Sequence, residues 1–515
     1  MRRVQFSTLL ILFLGFLGLG PLLFMLGSTL FDAEGFSLHA YASLIGNASL
    51  WKSFGNSLIL SLGVATATTI FGTMLALLLT KTRLAFRFLW LMLFLIPLLI
   101  PPYILAYGCY ASLGREGVLG ELLFGFWGTG FVLFSVYLSL PLFIVSLFLQ
   151  QVNPELEEAG LLHCGWFCVL RRITLPLILP ALVFSFLLVF VLTMGEFSVA
   201  NFLRYQVFPM ESFIQFSAFY DFKTATVYTM PLLLIVILLL GMQWTLGSER
   251  RGGSQYYRPL LIPLSTRSQV FLFVLLALSL ALLIGMPLFG LIQSIDSVSF
   301  FSAFSDALPA LSRSLIYAFA AATLLVVFGF LSAYVIHYKT GKGWYLLEPL
   351  MLFCFLLSSV SLGISLILFW NHSFSNFIYA TPLMLLLGYL LKYLYLSTKI
   401  ISVKFSEIPS AMIESAQITG ASWIQILWSI VLPLLRDAVI LAWGIGFIFS
   451  LRESTLSMLL APAGAGTLSG YIFTQMANGH EARIASLCLI MVMAILLPLF
   501  ALLGYRALSN RTKGV

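Results

Sequence analysis

Ile413 to Trp423 read IESAQITGASW, a stretch with a carboxylate, small residues and a Gly that leads into Ile430-Val431-Leu432-Pro433. A similar polar island, EEAGLLHCGW, occupies Glu157 to Trp166. Around both, the chain is mostly Leu, Phe, Ile and Val. It is 61% hydrophobic and 9% charged, with a mean hydropathy of +1.04. A soluble domain is about one quarter charged, so 515 residues of this composition cannot cover their surface in water. Crossing a hydrocarbon core takes roughly 20 apolar residues. Such runs recur along the chain without the alternation of a barrel. The fold class is therefore all-α polytopic membrane protein.

The hydropathy predicts spans at 7–31, 56–80, 87–112, 126–150, 174–195 and 227–246, then at 269–293, 314–337, 346–370, 378–400, 433–452 and 482–506. Met1-Arg2-Arg3 and the apolar run to about Leu30 exceed the roughly 7–15-residue core of a signal peptide and read as an uncleaved first span. Pro97, Pro101, Pro102, Pro141 and Gly363 are tolerated inside spans because neighbouring helices can satisfy freed backbone groups. Placing both termini in the cytoplasm gathers most of the 27 Lys and Arg on that side, among them Arg83, Arg171, Arg172, Lys404 and Arg436. Lys52, Arg115, Arg204, Lys223, Arg313, Arg452 and Arg483 fall outside, and Lys392 lies within a span near its cytoplasmic end. This is the asymmetry of an inner-membrane protein. It accounts for the net charge of +8 without nucleic acid as a partner. The five Cys are scattered. Cys164 and Cys168 stand four apart but lack a second pair at zinc spacing, so neither a disulfide nor a structural metal is expected.

A shift of 257 positions superposes the chain on itself. Ser57-Leu58-Ile59 falls on Ser314-Leu315-Ile316, Phe71-Gly72 on Phe328-Gly329, Trp166 on Trp423, Leu175-Pro176-Leu177 on Leu432-Pro433-Leu434, and Glu196 on Glu453. Leu pairs match by chance, but Trp is only 10 of 515 residues, so a Trp pair in register with Pro and Glu pairs marks a repeat. Six spans per half is an even number, so the halves run parallel, related by an axis along the membrane normal. The chain divides into a first half at 1–247, a cytoplasmic linker at 248–268 and a second half at 269–515.

Both polar islands lie in cytoplasmic loops between the fourth and fifth spans of their half, at about 153–176 and 405–433. Each begins at a Pro, Pro154 or Pro409, and Asn153-Pro154 suits an N-cap and first turn. Glu157 and Glu414 stand near the start of a short helix, where its dipole favours a carboxylate. Gly420 ends the second copy; His163 holds that place in the first, where Gly165 is expected to supply the turn. Small residues, Ala159 and Gly160 or Ser415 and Ala416, leave room for another protein to approach. An interfacial helix on lipid headgroups would instead carry Lys or Arg, and 407–419 has neither.

The pattern Glu-Ala-Ala, three residues, Gly, nine residues, Ile-x-Leu-Pro resembles that of the permease subunits of binding-protein-dependent ABC importers. The second copy fits as Glu414-Ser415-Ala416, Gly420 and Ile430-Val431-Leu432-Pro433; the first fits as Glu157-Glu158-Ala159, His163 and Ile173-Thr174-Leu175-Pro176. The resemblance covers nearly the whole chain. It implies the type I permease fold in a bacterial inner membrane, a separate ATPase homodimer that uses ATP and Mg, and an extracytoplasmic substrate-binding protein. It also implies that the islands are coupling helices, with Glu157, Glu158, Ala159, His163, Gly165, Pro176, Glu414, Ser415, Ala416, Gly420 and Pro433 as coupling residues. Nothing in the chain matches Gly, four residues, Gly-Lys-Ser/Thr. The expectation is thus a permease with no catalytic residue, metal site or cofactor of its own.

IPPYILAYGCYASLG (Ile100 to Gly114), GEFSVANFL (Gly195 to Leu203), FIQFSAFYDF (Phe213 to Phe222) and RESTLSMLLAPAGAGTL (Arg452 to Leu468) resemble the fused permeases of ferric-iron importers. Related permeases carry thiamine, polyamines or phosphonates. A reading of another class is a secondary transporter independent of ATP, with coupling carboxylates near mid-bilayer. Ionisable residues within spans are pathway candidates. Glu196 and Glu453, expected at the outer ends of their spans, either face each other across the pathway or pair locally, Glu453 with Arg452. Pro101-Pro102-Tyr103 reads as a packing kink, with Tyr103 a candidate for shaping the gate.

Overall fold

The computed structural model describes residues 2–32, 35–114, 117–247, 257–339, 343–379 and 381–512, so 248–256 of the expected linker lie outside the described residues. Helix dominates, and the described strands are a two-residue pair, Phe31–Asp32 with Gly35–Phe36. Among the described residues ten continuous helices are long and apolar enough to span: Ser7–Leu30, Ala48–Lys81, Phe126–Leu149, Trp166–Met194, Phe222–Gly241, Thr266–Gln293, Ser297–His337, Pro382–Phe405, Ile424–Arg452 and Glu481–Pro498.

The third and ninth spans differ from the straight helices expected. Arg87–Leu99 meets Pro102–Leu113 at 94°, and Trp344–Leu356 meets Ser359–Trp370 at 106°. In the first break Pro101 keeps Ile100 out of helical geometry and Pro102 opens the next arm. The second break has no Pro; the Ser358 hydroxyl accepts the Val360 N–H instead (3.3 Å) and starts a new helix.

Each bent pair still crosses once, because its ends lie on opposite faces. On one face the Ile262 N–H donates to the Lys81 carbonyl (2.7 Å), and the Arg83 N–H to the Ile262 carbonyl (3.2 Å). On the other, the Tyr110 hydroxyl donates to Glu481 (2.7 Å). Likewise Glu348, near the start of the ninth span, pairs with Lys399 of the tenth (2.5 Å). His372, beyond its end, packs on Phe24 near the end of the first (5.7 Å). Among the described residues this makes twelve crossings.

The repeat is visible in the backbone. The two arms of the third span recur in the ninth at the same 257-residue shift, as does a widened π-turn, Leu170–Thr174 and Leu427–Val431. A further π-turn covers Ala281–Gly285. All three end two residues before a proline, at Pro176, Pro433 and Pro287. A proline ring pushes away the carbonyl four residues back, and an extra residue in the turn relieves the clash. Ser57 and Ser314 each accept the first N–H of a short helix across the half, from Phe208 and Leu468, both at 2.7 Å.

The halves exchange their first spans. Phe13 stacks on Phe328 (5.8 Å) and Phe16 meets Phe369 edge-on (5.5 Å), so the first span lies against the second half. The seventh lies on the third: a Cβ on Gly108 would stand 2.5 Å from the Pro287 carbonyl oxygen, and one on Gly290 2.2 Å from the Ser112 hydroxyl. Only glycines permit that approach.

Candidate functional site

The third, fourth, fifth, ninth, tenth and eleventh spans line a cavity of about 1210 Å³. Leu98, Ile144, Phe355 and other apolar side chains form its walls, and it reaches Gln151, Tyr257 and Ser406 on the face that bears the polar islands. Tyr137, Glu196, Lys392, Tyr393, Arg452 and Glu453 also line it.

Glu196 and Glu453 thus line one chamber, from corresponding places in the two halves. Both are tied by the same device. Glu196 Oε1 accepts the Ser198 N–H (2.8 Å), the Ser198 hydroxyl (2.5 Å) and the Val199 N–H (3.2 Å). Glu453 Oε1 accepts the Leu456 N–H (3.3 Å), and Oε2 accepts the Tyr393 hydroxyl. Each carboxylate caps the short helix that follows its span, Ser198–Phe202 or Thr455–Leu460. The Arg452 guanidinium lies over the Phe449 ring (4.9 Å), and among the described residues no ion pair joins it to Glu453.

Three placements differ from expectation. Tyr393 is close to the middle of the tenth span, Pro382–Phe405, so its bond to Glu453 puts that carboxylate at mid-depth rather than at an outer mouth. The eleventh helix starts within the protruding island, and its far end therefore stops short. Lys392, next to Tyr393, is for the same reason central rather than near one end. Tyr103 is fully buried behind the cavity, its hydroxyl 3.0 Å from that of Ser469, and is not part of the lining.

The islands fold as helix-turn-helix brackets. In the second, Ser410–Ile418 ends at Gly420, which has φ +83°. The Gly420 N–H donates to the Gln417 carbonyl and the Ala421 N–H to the Ala416 carbonyl, both at 3.0 Å, the bond pattern of a Gly-closed helix end. The first bracket turns otherwise. Gly165 has φ −74° and begins the helix Trp166–Val169, while the His163 and Cys164 N–H groups both donate to the Gly160 carbonyl at 3.0 Å. His163 also caps the helix end through Nδ1 on the Ala159 carbonyl (3.1 Å). Neither His163 nor Gly165 takes the left-handed conformation expected there. Contrary to expectation, Cys164 and Cys168 are joined as a disulfide; the turn brings their Cα atoms to 5.9 Å, within bridging range.

The motif carboxylates also part ways. Glu157 is wholly buried, 2.7 Å from Lys81 Nζ, and accepts the Thr174 hydroxyl (2.8 Å). Glu414 is exposed, and no described residue bonds to it. The position corresponding to Lys81 in the second half is Tyr338, which carries no charge to bury a carboxylate against. Glu158, Ala159 and Ser415 are exposed as well. Gly160 is not: it faces Ile173 and Val169 of its own bracket, where a Cβ would meet Ile173 at 2.6 Å. Sequence reasoning passed over Leu162 and Ile418, each 86% exposed at a bracket turn, and Phe167 and Ile424, exposed at equivalent positions on the second arms. The readable signal was large apolar residues interrupting the polar islands beside their turns.

The signature described as "binding-protein-dependent transport system inner membrane component" matches residues 325–514. A molybdenum transport system permease protein of Haemophilus influenzae is 32% identical over 167 residues, covering 29% of this chain and 72% of that protein. The chain belongs to the binding-protein-dependent transport permeases. Two longer matches run through both halves. A ferric transport system permease protein of Actinobacillus pleuropneumoniae is 25% identical over 509 residues, 91% of this permease and 74% of the relative. An Fe(3+)-transport system permease protein of Haemophilus influenzae is 24% identical over 523 residues, 98% of this permease and 99% of the relative. The permease is accordingly a multi-pass inner-membrane protein of an ABC importer, fused from two halves.

Proposed function

We propose that this permease carries ferric iron inward, received from an extracytoplasmic binding protein and driven by a separate ATPase dimer seated on the two brackets. The observation that carries the substrate is the extent of the matches. The Fe(3+)-transport relative aligns through both halves, over 98% of this permease and 99% of itself, whereas a spermidine/putrescine permease of Escherichia coli, a shorter protein covered over 84% of its own length, matches 43% of this permease, so it is the shared two-half architecture that favours the ferric relatives. The cavity is the pathway, and Glu196 and Glu453 offer its cargo weak oxygen contacts at mid-depth. The bracket face is cytoplasmic: Arg83, Arg171, Arg172, Lys404 and Arg436 gather there, as the positive-inside rule asks. Both termini then lie inside. The exposed apolar tips at Leu162, Phe167, Ile418 and Ile424 suit a protein groove better than water.

The test is reconstitution of the permease with its ATPase and binding protein, followed by uptake of labelled iron, molybdate, spermidine and thiamine. Iron alone is expected to accumulate. Uptake of another cargo without iron would overturn the substrate and leave the importer standing. Orientation is read separately with single engineered thiols. An impermeant maleimide on intact spheroplasts should label Val298→Cys, which is 80% exposed on the face opposite the brackets, and should miss Ser265→Cys.

A further inference from the structure

The two brackets fasten the start of their second arm by different means. In the second bracket Ser422 and Gln425 form a reciprocal cap. The Ser422 N–H and hydroxyl both donate to Gln425 Oε1 (2.7 and 2.9 Å), and the Gln425 N–H donates back to the Ser422 hydroxyl oxygen (3.4 Å). The 257-residue shift puts Ala421, Ser422 and Gln425 where the first bracket has Cys164, Gly165 and Cys168. Gly165 has no side chain to cap with, and the helix Trp166–Val169 starts without a side-chain cap. What spans that turn is the Cys164–Cys168 disulfide. It ties the residue before Gly165 to the third residue of the arm, the place that Gln425 holds in the second bracket. One half closes the turn with hydrogen bonds and the other with a covalent bond. Both bracket cysteines are partly exposed, whereas Cys109, Cys354 and Cys488 are free and buried. The exposed Leu162 and Phe167 stand within two residues of one or other bracket cysteine.

We propose that Cys164 and Cys168 are a reversible dithiol–disulfide couple, a redox modification site that sets how firmly the first bracket holds the ATPase. This rests on the brackets being the ATPase seat on the cytoplasmic face. Thiols in the cytoplasm are kept reduced, and a disulfide formed there is transient or redox-sensing. The Cα separation of 5.9 Å lets the bond form without moving the backbone. The oxidant is a low-molecular-weight disulfide such as glutathione disulfide. One cysteine thiolate attacks it, giving a mixed disulfide and one glutathione thiolate. The other cysteine thiolate then attacks the protein sulfur of the mixed disulfide, closing Cys164–Cys168 and releasing the second glutathione thiolate. Two electrons pass to the glutathione disulfide, and the two thiol protons end on the departing glutathiones. Reduction runs the same steps backward. The oxidised bracket holds Leu162 and Phe167 in a fixed relation for a groove to receive. The reduced bracket has neither the bond nor a cap, so the first turn of its second arm opens. The second bracket, closed by Ser422 and Gln425, does not respond. Coupling through the first half thus follows the thiol poise, while coupling through the second is constant.

The full-length permease in phosphatidylcholine nanodiscs is equilibrated with glutathione disulfide or with reduced glutathione, cleared of reagent without air, and titrated with the purified ATPase. The reduced form should bind about fivefold more weakly, the effect of one lost helix cap. Cys164→Ala with Cys168→Ala should bind like the reduced form after either treatment, which separates the bracket from any thiol of the ATPase. Cys164→Ala, Gly165→Ser and Cys168→Gln together transplant the cap of the second bracket, and Gly165 has φ −74°, which Ser tolerates. That variant should bind like the oxidised form after either treatment. Amide exchange across residues 164–170, read by mass spectrometry on the permease alone, should speed up by about the same factor on reduction. Equal affinity in the two redox states, exchange unmoved by reduction, or a transplanted cap that leaves binding at the reduced level would overturn the proposal. An ATPase that binds no form of the permease would strike the bracket assignment instead, and the exchange measurement would still decide whether the cysteine pair controls the turn.

Discussion

Lys81 and Glu157 form an ion pair that water does not reach: Nζ lies 2.7 Å from Oε2 and 2.9 Å from Oε1, with side chains 1% and 0% exposed. The pair fastens the first bracket to the end of the second span. Lys81 also accepts the Ile262 N–H on its carbonyl, so span, bracket and the described end of the linker meet at one residue. Among the described residues the second bracket has no such clasp. Its equivalent carboxylate, Glu414, faces outward. One motif position therefore serves internal architecture in the first half and is exposed in the second.

Removing Glu157 should damage folding rather than coupling. Glu157→Ala strands a buried ammonium, a loss of about 3–5 kcal/mol. Membrane abundance and the detergent Tm should both fall. Replacing both partners, Lys81→Met with Glu157→Leu, should recover much of that stability. Glu414→Lys should leave the Tm unchanged while reducing ATPase binding and uptake. A Glu157→Ala protein with wild-type Tm would remove the structural role assigned to the pair.

The bracket turns make a second contrast. Gly420 occupies left-handed backbone, where a Cβ costs about 1–2 kcal/mol. Gly420→Ala should weaken the apparent affinity for the ATPase roughly fivefold or more. His163→Gly restores the family residue in the first bracket but gains nothing, because that turn has no left-handed residue to relieve. It also loses the Nδ1 cap on Ala159. Titration of the purified ATPase onto permease nanodiscs measures both. Improved binding in His163→Gly would mean that the first bracket adopts the Gly-closed form when the ATPase is seated.

Contact between the halves should hinge on Gly108. A Cβ there meets backbone, the Pro287 carbonyl at 2.5 Å, and no side-chain rotation can relieve it. Overpacking of this kind costs about 1–3 kcal/mol. Gly108→Ala should lower the Tm accordingly, whereas Gly444→Ala, with no atom within 4 Å of its added carbon, should not. Equal Tm values for the two would show that the third and seventh spans can slide apart without loss.

Much of this was readable in the chain, for physical reasons. Hydropathy located the crossings because lipid demands unbroken apolar length. The 257-residue shift located the paired brackets and carboxylates because each half repeats the same local chemistry; the paired π-turns came only with the structure. The break in the ninth span was not readable. Pro101-Pro102 advertises the first break, but Leu357-Ser358 contains no residue that forbids helix. Packing against the first span and the capping hydroxyl of Ser358 decide it. The burial of Glu157 was hidden as well, since Lys81 stands 76 positions away. The depth of Glu453 depends on how far the eleventh helix extends into its bracket, which hydropathy does not register.

Those two chamber carboxylates carry the last prediction. Each holds a backbone cap that an amide oxygen can also accept, so Glu196→Gln with Glu453→Gln removes charge while keeping shape. The helices Ser198–Phe202 and Thr455–Leu460 should stay in place, and ATPase assembly on the brackets should be unaffected. Iron uptake should fall about tenfold, the equivalent of about 1.4 kcal/mol in the barrier. The wild-type permease alone should not retain Fe³⁺ through a desalting column. A hard cation of this kind wants about six oxygen ligands; Glu196 and Glu453 are already engaged by hydroxyl and N–H donors, and the cations Lys392, Lys399 and Arg452 line the same chamber. Recognition then rests with the binding protein, and the permease needs only enough attraction to draw the ion past mid-depth. Retained iron on the wild-type permease, or full uptake in the double variant, would place the decisive contacts elsewhere along the cavity.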